Sequence, residues 1–146
     1  MPLSSDEERL WRALMRAMVA LPKMLDDDLL AATGLTLSEY SVLMHLSEAE
    51  HGNLRMTDLA VATALSLSRI SRVVSALQAR GWVVKQQHSR DARCSVAILT
   101  DEGLQRLESA YPSLLMSARR RVVDHVNNES IAAAADHFEE IASALP

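Results

Sequence analysis

The sequence predicts a mainly α-helical (α+β) fold, and three observations carry this prediction. Long stretches toward both ends repeat apolar residues at three- and four-residue intervals, as amphipathic helices do. Residues 56–80 hold two shorter stretches of the same kind, joined by a few residues. Residues 82–99 then contain two β-rich runs on either side of a polar, charged loop. This order predicts a winged helix-turn-helix with a small antiparallel β-wing, flanked by N- and C-terminal helices.

The first predicted helix spans residues 5–33 and is followed by Gly34 as a stop signal. Its apolar face is formed by Leu10, Trp11, Leu14, Met18 and Leu21. Pro22 is expected to kink or break this helix, because proline lacks a backbone donor and its ring clashes with the preceding turn. A second helix is predicted after Thr36, since Thr36 and Glu39 have the spacing of a capping box.

The next predicted elements are a short strand and a short helix. Residues 54–56 are predicted to form a strand that completes the sheet of the wing. Thr57 is expected to cap the helix that follows, which ends near Ala64. The apolar contacts of this helix are expected from Leu59, Val61 and Ala62.

The second helix of the pair is predicted to start at a cap formed by Ser66 or Ser68 and to stop at Gly81. Its buried face is predicted from the spacing of Ile70, Val73 or Val74, and Leu77. This pattern leaves Arg69 and Arg72 off the buried face, where a helix-turn-helix presents side chains to base edges.

Two strands and two helices complete the prediction. Residues 82–87 and 95–99 are expected to pair as antiparallel strands. Thr100 is expected to start a long helix, which Pro112 bends and residues 127–128 end. The apolar stripe of this helix is formed by Leu104, Leu107, Tyr111, Leu114, Ala118, Val122 and Val126. A last amphipathic helix is marked by Ile131, Ala135, Phe138, Ile141 and Leu145.

Length and composition narrow the classes of protein to which this chain can belong. A chain of 146 residues has a one-domain length and can bury a core without staples. Its single cysteine, Cys94, excludes a disulfide framework within the chain and fits a reducing compartment. The N-terminus lacks a signal-peptide pattern and no apolar run reaches membrane-spanning length, so we expect a cytoplasmic protein with no membrane partner.

The net charge of −4 is distributed unevenly. Residues 55–93 carry seven Lys/Arg against two Asp/Glu, or +5, whereas the remainder carries eight against seventeen, or −9. Because salt screens charges beyond about 8–10 Å, the local charge matters more than the total. The basic segment coincides with the predicted helix-turn-helix, which favours a nucleic-acid partner. Arg80 and Lys85 individually fit better as solvated surface.

Five short motifs, taken in order, resemble those of one protein family. They are Ser-x-Ser, Ser-Arg, Arg-Gly-Trp-Val, Asp-x-Arg and Leu-Thr-Asp-Glu-Gly, all within residues 66–103. The ordered set is similar to the recognition helix, the wing and the following helix of the MarR (multiple antibiotic resistance regulator) family of bacterial transcription factors. In looser form the resemblance covers nearly the whole chain. It implies a ligand-responsive regulator, most simply a repressor, that binds a pseudo-palindromic operator in double-stranded DNA as a homodimer.

The predicted recognition helix offers the main DNA contacts. Arg69, Ser71 and Arg72 are expected to face DNA, because arginine can fork to guanine O6 and N7. Serines and backbone N–H groups near the helix start can bind phosphate. Ser66 and Ser68 are expected to be caps that still lie at the interface. The resemblance places a widely shared arginine at Arg72 and small hydroxyl residues at Ser68 and Ser71.

The resemblance also implies that an arginine of the wing enters the minor groove. Arg93 belongs to the Asp-x-Arg motif, and Asp91 can orient it. A structural salt bridge inside the wing is the alternative role for Arg93. Many family members are basic where this chain has Ala92, so Arg90 is a second candidate for the same contact.

The long terminal helices carry wide apolar stripes that must be covered. Pairing the terminal helices of two chains covers them, as the resemblance also implies; a monomer that folds these helices back on itself is the alternative. The expected dimer-interface residues are Leu10, Leu14, Val122, Phe138, Ile141 and Leu145. We therefore expect a single domain, 1–146, in which 1–35 and 101–146 supply dimerisation helices and 36–100 forms the DNA-binding lobe.

A ligand pocket between the dimerisation helices and the DNA-binding lobe is implied by the resemblance, for a small aromatic or anionic effector. The residues expected to line it are Trp11, Arg12, Tyr40, His45 and Tyr111. A core role is the alternative for the apolar ones.

Other chemistry is not indicated by the sequence. It has no phosphate-binding glycine loop, nucleophile elbow or paired catalytic carboxylates, so we expect no catalytic residues and no enzymatic activity. The five histidines lack metal-ligand spacing, so no metal and no cofactor is predicted, and Cys94 is expected to be a plain strand residue. The alternative function is a protein-interaction module, because winged helices also serve as adaptors without DNA. The arginines of the predicted recognition helix and wing argue against it.

Overall fold

The computed structural model describes residues 1–87 and 94–146. The helices and strands within them are α1 Ser5–Thr33, α2 Leu37–Glu48, β1 Asn53–Arg55, α3 Met56–Thr63, α4 Leu67–Ala79, β2 Val83–Gln87, β3 Ser95–Leu99, α5 Asp101–Arg121 and α6 Ile131–Ser143. Single 3₁₀ turns lie at Glu50–Gly52, Val123–His125 and Asn128–Ser130. The predicted fold class, a mainly helical winged helix-turn-helix with a small antiparallel sheet, is confirmed.

The sheet of the wing has the strand order β1-β3-β2, with both pairings antiparallel. Strand β3 therefore lies in the centre, where Val83 is opposite Leu99 and Leu54 is opposite Ala97. Val83 and Ala97 are fully buried, which anchors the sheet on the helical core. The predicted strand pair is confirmed. The third strand exists but lies one residue earlier than predicted, at Asn53–Arg55, because Met56 already begins α3.

Local sequence explains most of the helix starts. The side-chain caps are Ser4 at α1, Thr36 at α2, Ser66 at α4 and Thr100 at α5. Thr36 accepts from the Glu39 N–H while the Glu39 carboxylate accepts from the Thr36 N–H, both at 3.0 Å, so the predicted capping box is confirmed. Of the two serines proposed to cap α4, it is Ser66 that accepts from the Arg69 N–H, at 3.2 Å.

The prediction for the start of α3 is wrong. The helix begins at Met56, and its N-cap Arg55 makes no side-chain capping bond, so Thr57 lies inside the first turn. The physical reason is that β1 runs directly into α3, so strand pairing rather than a cap sets the start. This register turns Met56 and Leu59 into the core and leaves Val61 exposed by 82%, so Val61 and Ala62 do not supply the expected apolar contacts.

Two prolines lie inside long helices without ending them. Helix α1 continues through Pro22, so the expected break does not occur. Proline removes one hydrogen-bond donor, and the half of α1 after Pro22 is held by the bonds of Asp28 to α5 and of Asp26 to the start of α2. Helix α5 contains Pro112 and ends at Arg121, earlier than expected. Val122 leaves helical geometry with φ −125° and ψ −63°, so the predicted helical stripe does not extend to Val126.

The core lies between α2, α3, α4 and the inner face of the sheet. Its fully buried large side chains include Leu35, Val42, Leu43, Leu46, Leu59, Ile70, Val74 and Leu77. Gly103, in the first turn of α5, brings that helix close to the end of α4: a Cβ built on it would lie 2.1 Å from the Trp82 carbonyl oxygen. A residue with a side chain therefore cannot occupy this position without a shift of the backbone.

A charged cluster joins α1 to the C-terminal part of α5. Asp28 on α1 accepts from the Ser117 hydroxyl at 2.6 Å and from the Arg121 guanidinium at 2.9 and 3.0 Å, and Arg120 lies 3.1 Å away. The hydrogen bonds from Arg121, and then that from Ser117, hold the pKa of Asp28 well below its usual range. The two long helices are thus tied by an ionised carboxylate with four donor contacts.

In the described residues no single helix is both long and apolar enough to span a membrane. Taken together, helices α3 and α4 are long and apolar enough, but they form a pair bent by 105°. Their apolar residues Leu59, Ile70 and Val74 are fully buried in the core, which is the ordinary reason for such a composition.

Candidate nucleic-acid interface

The turn between α3 and α4 sets the direction of the second helix. Ala64 ends α3 in the left-handed region, with φ 57° and ψ 30°. The Leu65 N–H then donates to the Ala60 carbonyl at 3.1 Å, which closes the end of the helix. The two helices are bent by 105°, within the range of about 90–120° that helix-turn-helix motifs have.

One face of α4 is buried and the other is open. Ile70, Val74 and Leu77 are fully buried, which confirms the predicted apolar face, with Val73 only partly buried beside them. Arg69 and Arg72 are exposed, and so is Ser68, whereas Ser71 is half-buried. Two guanidinium groups near the start of α4 are therefore available to an outside partner.

Arg69 is held by a residue that the sequence did not connect with it. Its guanidinium donates to the Ser38 hydroxyl on the first turn of α2, at 3.3 Å. Ser38 lies 31 positions earlier in the chain, so no local spacing could reveal the pair. Ser66, besides capping α4, has its hydroxyl 3.3 Å from that of Ser68. Arg69 thus joins the start of α4 to the start of α2.

The wing is tied to α4 through the base of its first strand. The Lys85 N–H on β2 donates to the Gln78 side-chain carbonyl on α4, at 2.9 Å. This bond joins β2 to the last turn of α4. Arg90 and Arg93, with Asp91, belong to the loop at 88–93 and lie outside the described residues. The proposed wing contacts therefore stay predictions.

Arg80 does not behave as the freely solvated side chain that we expected. Its guanidinium lies 5.0 Å from the centre of the Trp82 ring, and that of Arg106 on α5 lies 5.3 Å from it. Arg80 is also 3.7 Å from the Glu39 carboxylate, which is nearly buried. This arrangement, the Arg80–Trp82–Arg106 cluster, packs the end of α4 against α5 and the start of α2.

The five residues expected to line a ligand pocket lie partly at the buried surface of α2 and α5 and partly on the exposed half of α1. Tyr40 on α2 is buried, and its burial raises the pKa of its phenol, with further contributions from Tyr111 and Glu48. Tyr111 is half exposed and His45 half-buried. On α1, Trp11 is exposed, and Arg12 is paired with Glu8 at 2.6 Å. None of the five lines either of the two clefts found next to α4.

The residues expected at a dimer interface are open in the single chain. Leu10, Phe138 and Leu145 are exposed by 61%, 53% and 64%. Val122 and Ile141 are also exposed, and Leu14 is half-buried. Helix α6 has no buried residue at all, so its apolar face has no cover within the chain as described.

Metal-ligating side chains do not cluster in the described residues: no three of His, Cys, Asp and Glu could hold one ion. Cys94 is exposed just before β3 and unpaired.

Several solved structures of transcriptional regulators are similar to this fold. Sco3205, a MarR family transcriptional regulator from Streptomyces coelicolor solved in complex with DNA, is 31% identical, with a TM-score of 0.84, covering 100% of this chain and 92% of that one. AbsC, a MarR family regulator from the same organism, is 31% identical with a TM-score of 0.80, covering 98% and 96%. This chain belongs to the MarR family. The resemblance inferred from the motifs is thereby confirmed.

The family model matches residues 33–93 of this MarR-family chain, which is the stretch from the end of α1 to the wing. Among curated proteins, the transcriptional repressor MprA of Escherichia coli K12 is 26% identical over 84 residues, or 58% of this chain and 48% of MprA. The match thus spans about half the length of that relative.

Proposed function

We propose that this MarR-family chain is a ligand-responsive repressor that binds a pseudo-palindromic operator in double-stranded DNA as a homodimer. The observation that carries this proposal is the face of α4 on which Arg69 and Arg72 are exposed opposite a fully buried apolar face. A helix with this division can enter a major groove while its other side stays packed on the core. The DNA complex of Sco3205 and the repressor function of MprA support the same proposal.

The side chains of α4 divide into those that contact bases and those that contact backbone phosphates. Arg69 and Arg72 are long enough to fork to guanine O6 and N7, and each such pair discriminates by about 1–3 kcal/mol. Ser66, Ser68 and Ser71, beside the N–H groups of the first turn, bind backbone phosphate. In the wing, Arg90 and Arg93 stay candidates for the minor groove.

The homodimer follows from the open apolar faces of the terminal helices. Leu10, Leu14, Phe138 and Ile141 lie on α1 and α6, and Val122 and Leu145 follow α5 and α6. In such a dimer the two copies of α4 must lie about 34–36 Å apart to enter successive major grooves. On this proposal 1–35 and 101–146 serve association, and 36–100 serves DNA.

Several further properties belong to the same proposal. The regulator acts in the cytoplasm, has no enzymatic activity of its own and needs no cofactor. Its effector is a small aromatic or anionic compound, with Trp11, Arg12, Tyr40, His45 and Tyr111 as the pocket residues that the family resemblance implies. An effector acts by shifting the population of dimers whose two recognition helices have the spacing that DNA requires.

The test is a mobility-shift titration with DNA from upstream of the protein's own gene, against scrambled DNA of equal length. We expect tighter binding to the upstream fragment and a log-log salt slope of about −0.9 per neutralised phosphate. Arg69→Ala and Arg72→Ala should lower affinity at unchanged melting temperature. If upstream and scrambled DNA bind equally weakly, and the arginine variants match wild type, a protein-interaction module becomes the better interpretation of the function.

A further inference from the structure

Arg69 on the recognition helix is held at both ends by serine hydroxyls. Its backbone N–H donates to the Ser66 hydroxyl at 3.2 Å, which fixes the start of the side chain at the first turn of α4. Its guanidinium donates to the Ser38 hydroxyl on α2 at 3.3 Å, although Arg69 as a whole is exposed. The second contact restrains the far end of a long side chain that would otherwise adopt many rotamers.

Ser38 lies on a turn of backbone that is itself well anchored. Just before it, the Leu37 N–H donates to the Asp26 carboxylate on α1 at 2.7 Å. Just after it, the Glu39 N–H donates to the Thr36 hydroxyl at 3.0 Å within the capping box. Ser38 itself is half-buried. Because the backbone is fixed on both sides of it, its hydroxyl can hold a guanidinium at a defined place on the surface.

The chemistry of the partner separates Arg69 from arginines such as Arg12 and Arg121, which both pair with carboxylates, at 2.6 and 2.9 Å. A carboxylate compensates the charge of the guanidinium that it orients. The Ser38 hydroxyl is neutral, so it orients the Arg69 guanidinium and leaves the full positive charge for an outside partner. A guanidinium has five N–H donors, and this bond uses one of them, so a fork to guanine stays open.

We propose that Ser38 is a positioning residue for DNA recognition, which presents the Arg69 guanidinium to one base pair of each half-site. The inference rests on the proposed function, because it requires that α4 enters the major groove. Holding the guanidinium in advance reduces the rotamer entropy that is lost when Arg69 binds a base, and it favours one orientation of the fork. Ser38 thus contributes to the sequence preference of the protein without contacting a base.

The bond between the two side chains is tested on the free full-length chain by NMR of the arginine side chains. We expect the Arg69 guanidinium to rotate slowly about its Cζ–N bonds in wild type and faster in Ser38→Ala. Ser38→Thr keeps the hydroxyl and should keep the slow rotation. The matched control is Ser41→Ala, which removes a hydroxyl of the same helix that takes no part in this bond.

Selection of DNA by each variant measures the consequence for recognition. Wild type and variants select from one library of random duplexes that are long enough for two half-sites. Arg69→Ala should lose the preference at one base pair of each half-site, which identifies the position that Arg69 reads. Ser38→Ala should reduce the preference at that same position about fivefold, as the loss of one hydrogen bond predicts, and leave the other positions unchanged. Ser38→Thr should restore the preference, and Ser41→Ala should keep it.

A double-mutant cycle determines whether Ser38 acts through Arg69. In the Arg69→Ala background, Ser38→Ala should change the affinity for the selected sequence by less than about twofold, because no guanidinium remains to be positioned. The melting temperature of Ser38→Ala should stay close to that of wild type, since the bond lies at the exposed surface.

The proposal is overturned if Ser38→Ala keeps the preference of wild type, or if the Arg69 guanidinium rotates equally fast in the two proteins. A fall of several degrees in the melting temperature of Ser38→Ala would make the bond a structural tie between α2 and α4. The proposal is also wrong if Ser38→Ala weakens all sequences alike and does so again in the Arg69→Ala background, because Ser38 would then bind backbone phosphate directly. In each of these cases wild type still selects DNA and the proposed function stands. A wild-type chain that selects no sequence would overturn the proposed function, and this inference with it.

Discussion

Replacing Gly103 with alanine reverses the effect that this substitution usually has in a helix. Inside an α-helix, alanine is more favourable than glycine by about 1 kcal/mol. At Gly103 the added Cβ would meet the Trp82 carbonyl oxygen at 2.1 Å and a Leu99 methyl group at 2.8 Å. That carbonyl accepts from the Thr100 N–H at 3.1 Å, and the Thr100 hydroxyl donates to the Gly81 carbonyl at 2.8 Å, so it cannot move freely.

The expected magnitude follows from these contacts. Relief of the clash needs a movement of roughly 1 Å, and overpacking of this kind costs about 1–3 kcal/mol. Loss of the hydrogen bond to Trp82 adds about 0.5–1.5 kcal/mol, and the helix propensity of alanine offsets about 1 kcal/mol. Gly103→Ala should therefore lower the free energy of unfolding by about 0.5–3.5 kcal/mol, which urea denaturation measures.

The control for this measurement is Gln105→Ala, at an exposed position of the same helix, which should change stability by less than about 0.5 kcal/mol. A Gly103→Ala protein as stable as wild type, or more stable, would refute the close approach of α5 to Trp82.

Four further outcomes are expected. Arg72→Ala should lose about 1–3 kcal/mol of operator affinity and discriminate less at one base pair per half-site, measured with single-base operator variants. Phe138→Asp with Ile141→Asp should dissociate the proposed dimer in sedimentation, because a buried unpaired carboxylate costs several kcal/mol, whereas exposed Val61→Asp should not. Asp28→Asn should be less stable than wild type at neutral pH. Because the folded-state pKa of Asp28 is lowered, this difference is full above about pH 5 and shrinks as pH falls below about 4, which urea titrations at several pH values measure. Operator binding that stays flat between low and moderate salt would contradict the role given to the basic residues of 55–93.

Features encoded by neighbouring residues were predictable from the sequence. The capping box of Thr36 and Glu39, the Ser66 cap and the buried face of α4 all depend on spacings of three or four positions. The helix-turn-helix and the hairpin could therefore be placed, and with them Arg69 and Arg72 as exposed groups.

Features that depend on distant partners were missed. The start of α3 is set by β1 pairing with β3, so a local cap at Thr57 was the wrong signal. The bond from Arg69 to Ser38 and the position of Arg80 over Trp82 arise where α4 meets other elements of the fold. Periodicity states which side of a helix is apolar, but it does not state what a guanidinium on the other side will meet. The roles of individual site residues, in DNA or ligand binding, stay predictions for the same reason.

The folding of helix α6 should depend on association with another molecule. An isolated helix of 13 residues is marginal in water, and none of the side chains of α6 is buried by its own chain. Its helical state must then depend on cover from outside, so the helical content of the last residues should rise with protein concentration. Far-UV circular dichroism on dilution would measure this helical content. Cleavage near Phe138 by a protease with aromatic specificity would measure how accessible the unfolded segment is. Protein concentration would in this way set how much of α6 is helical.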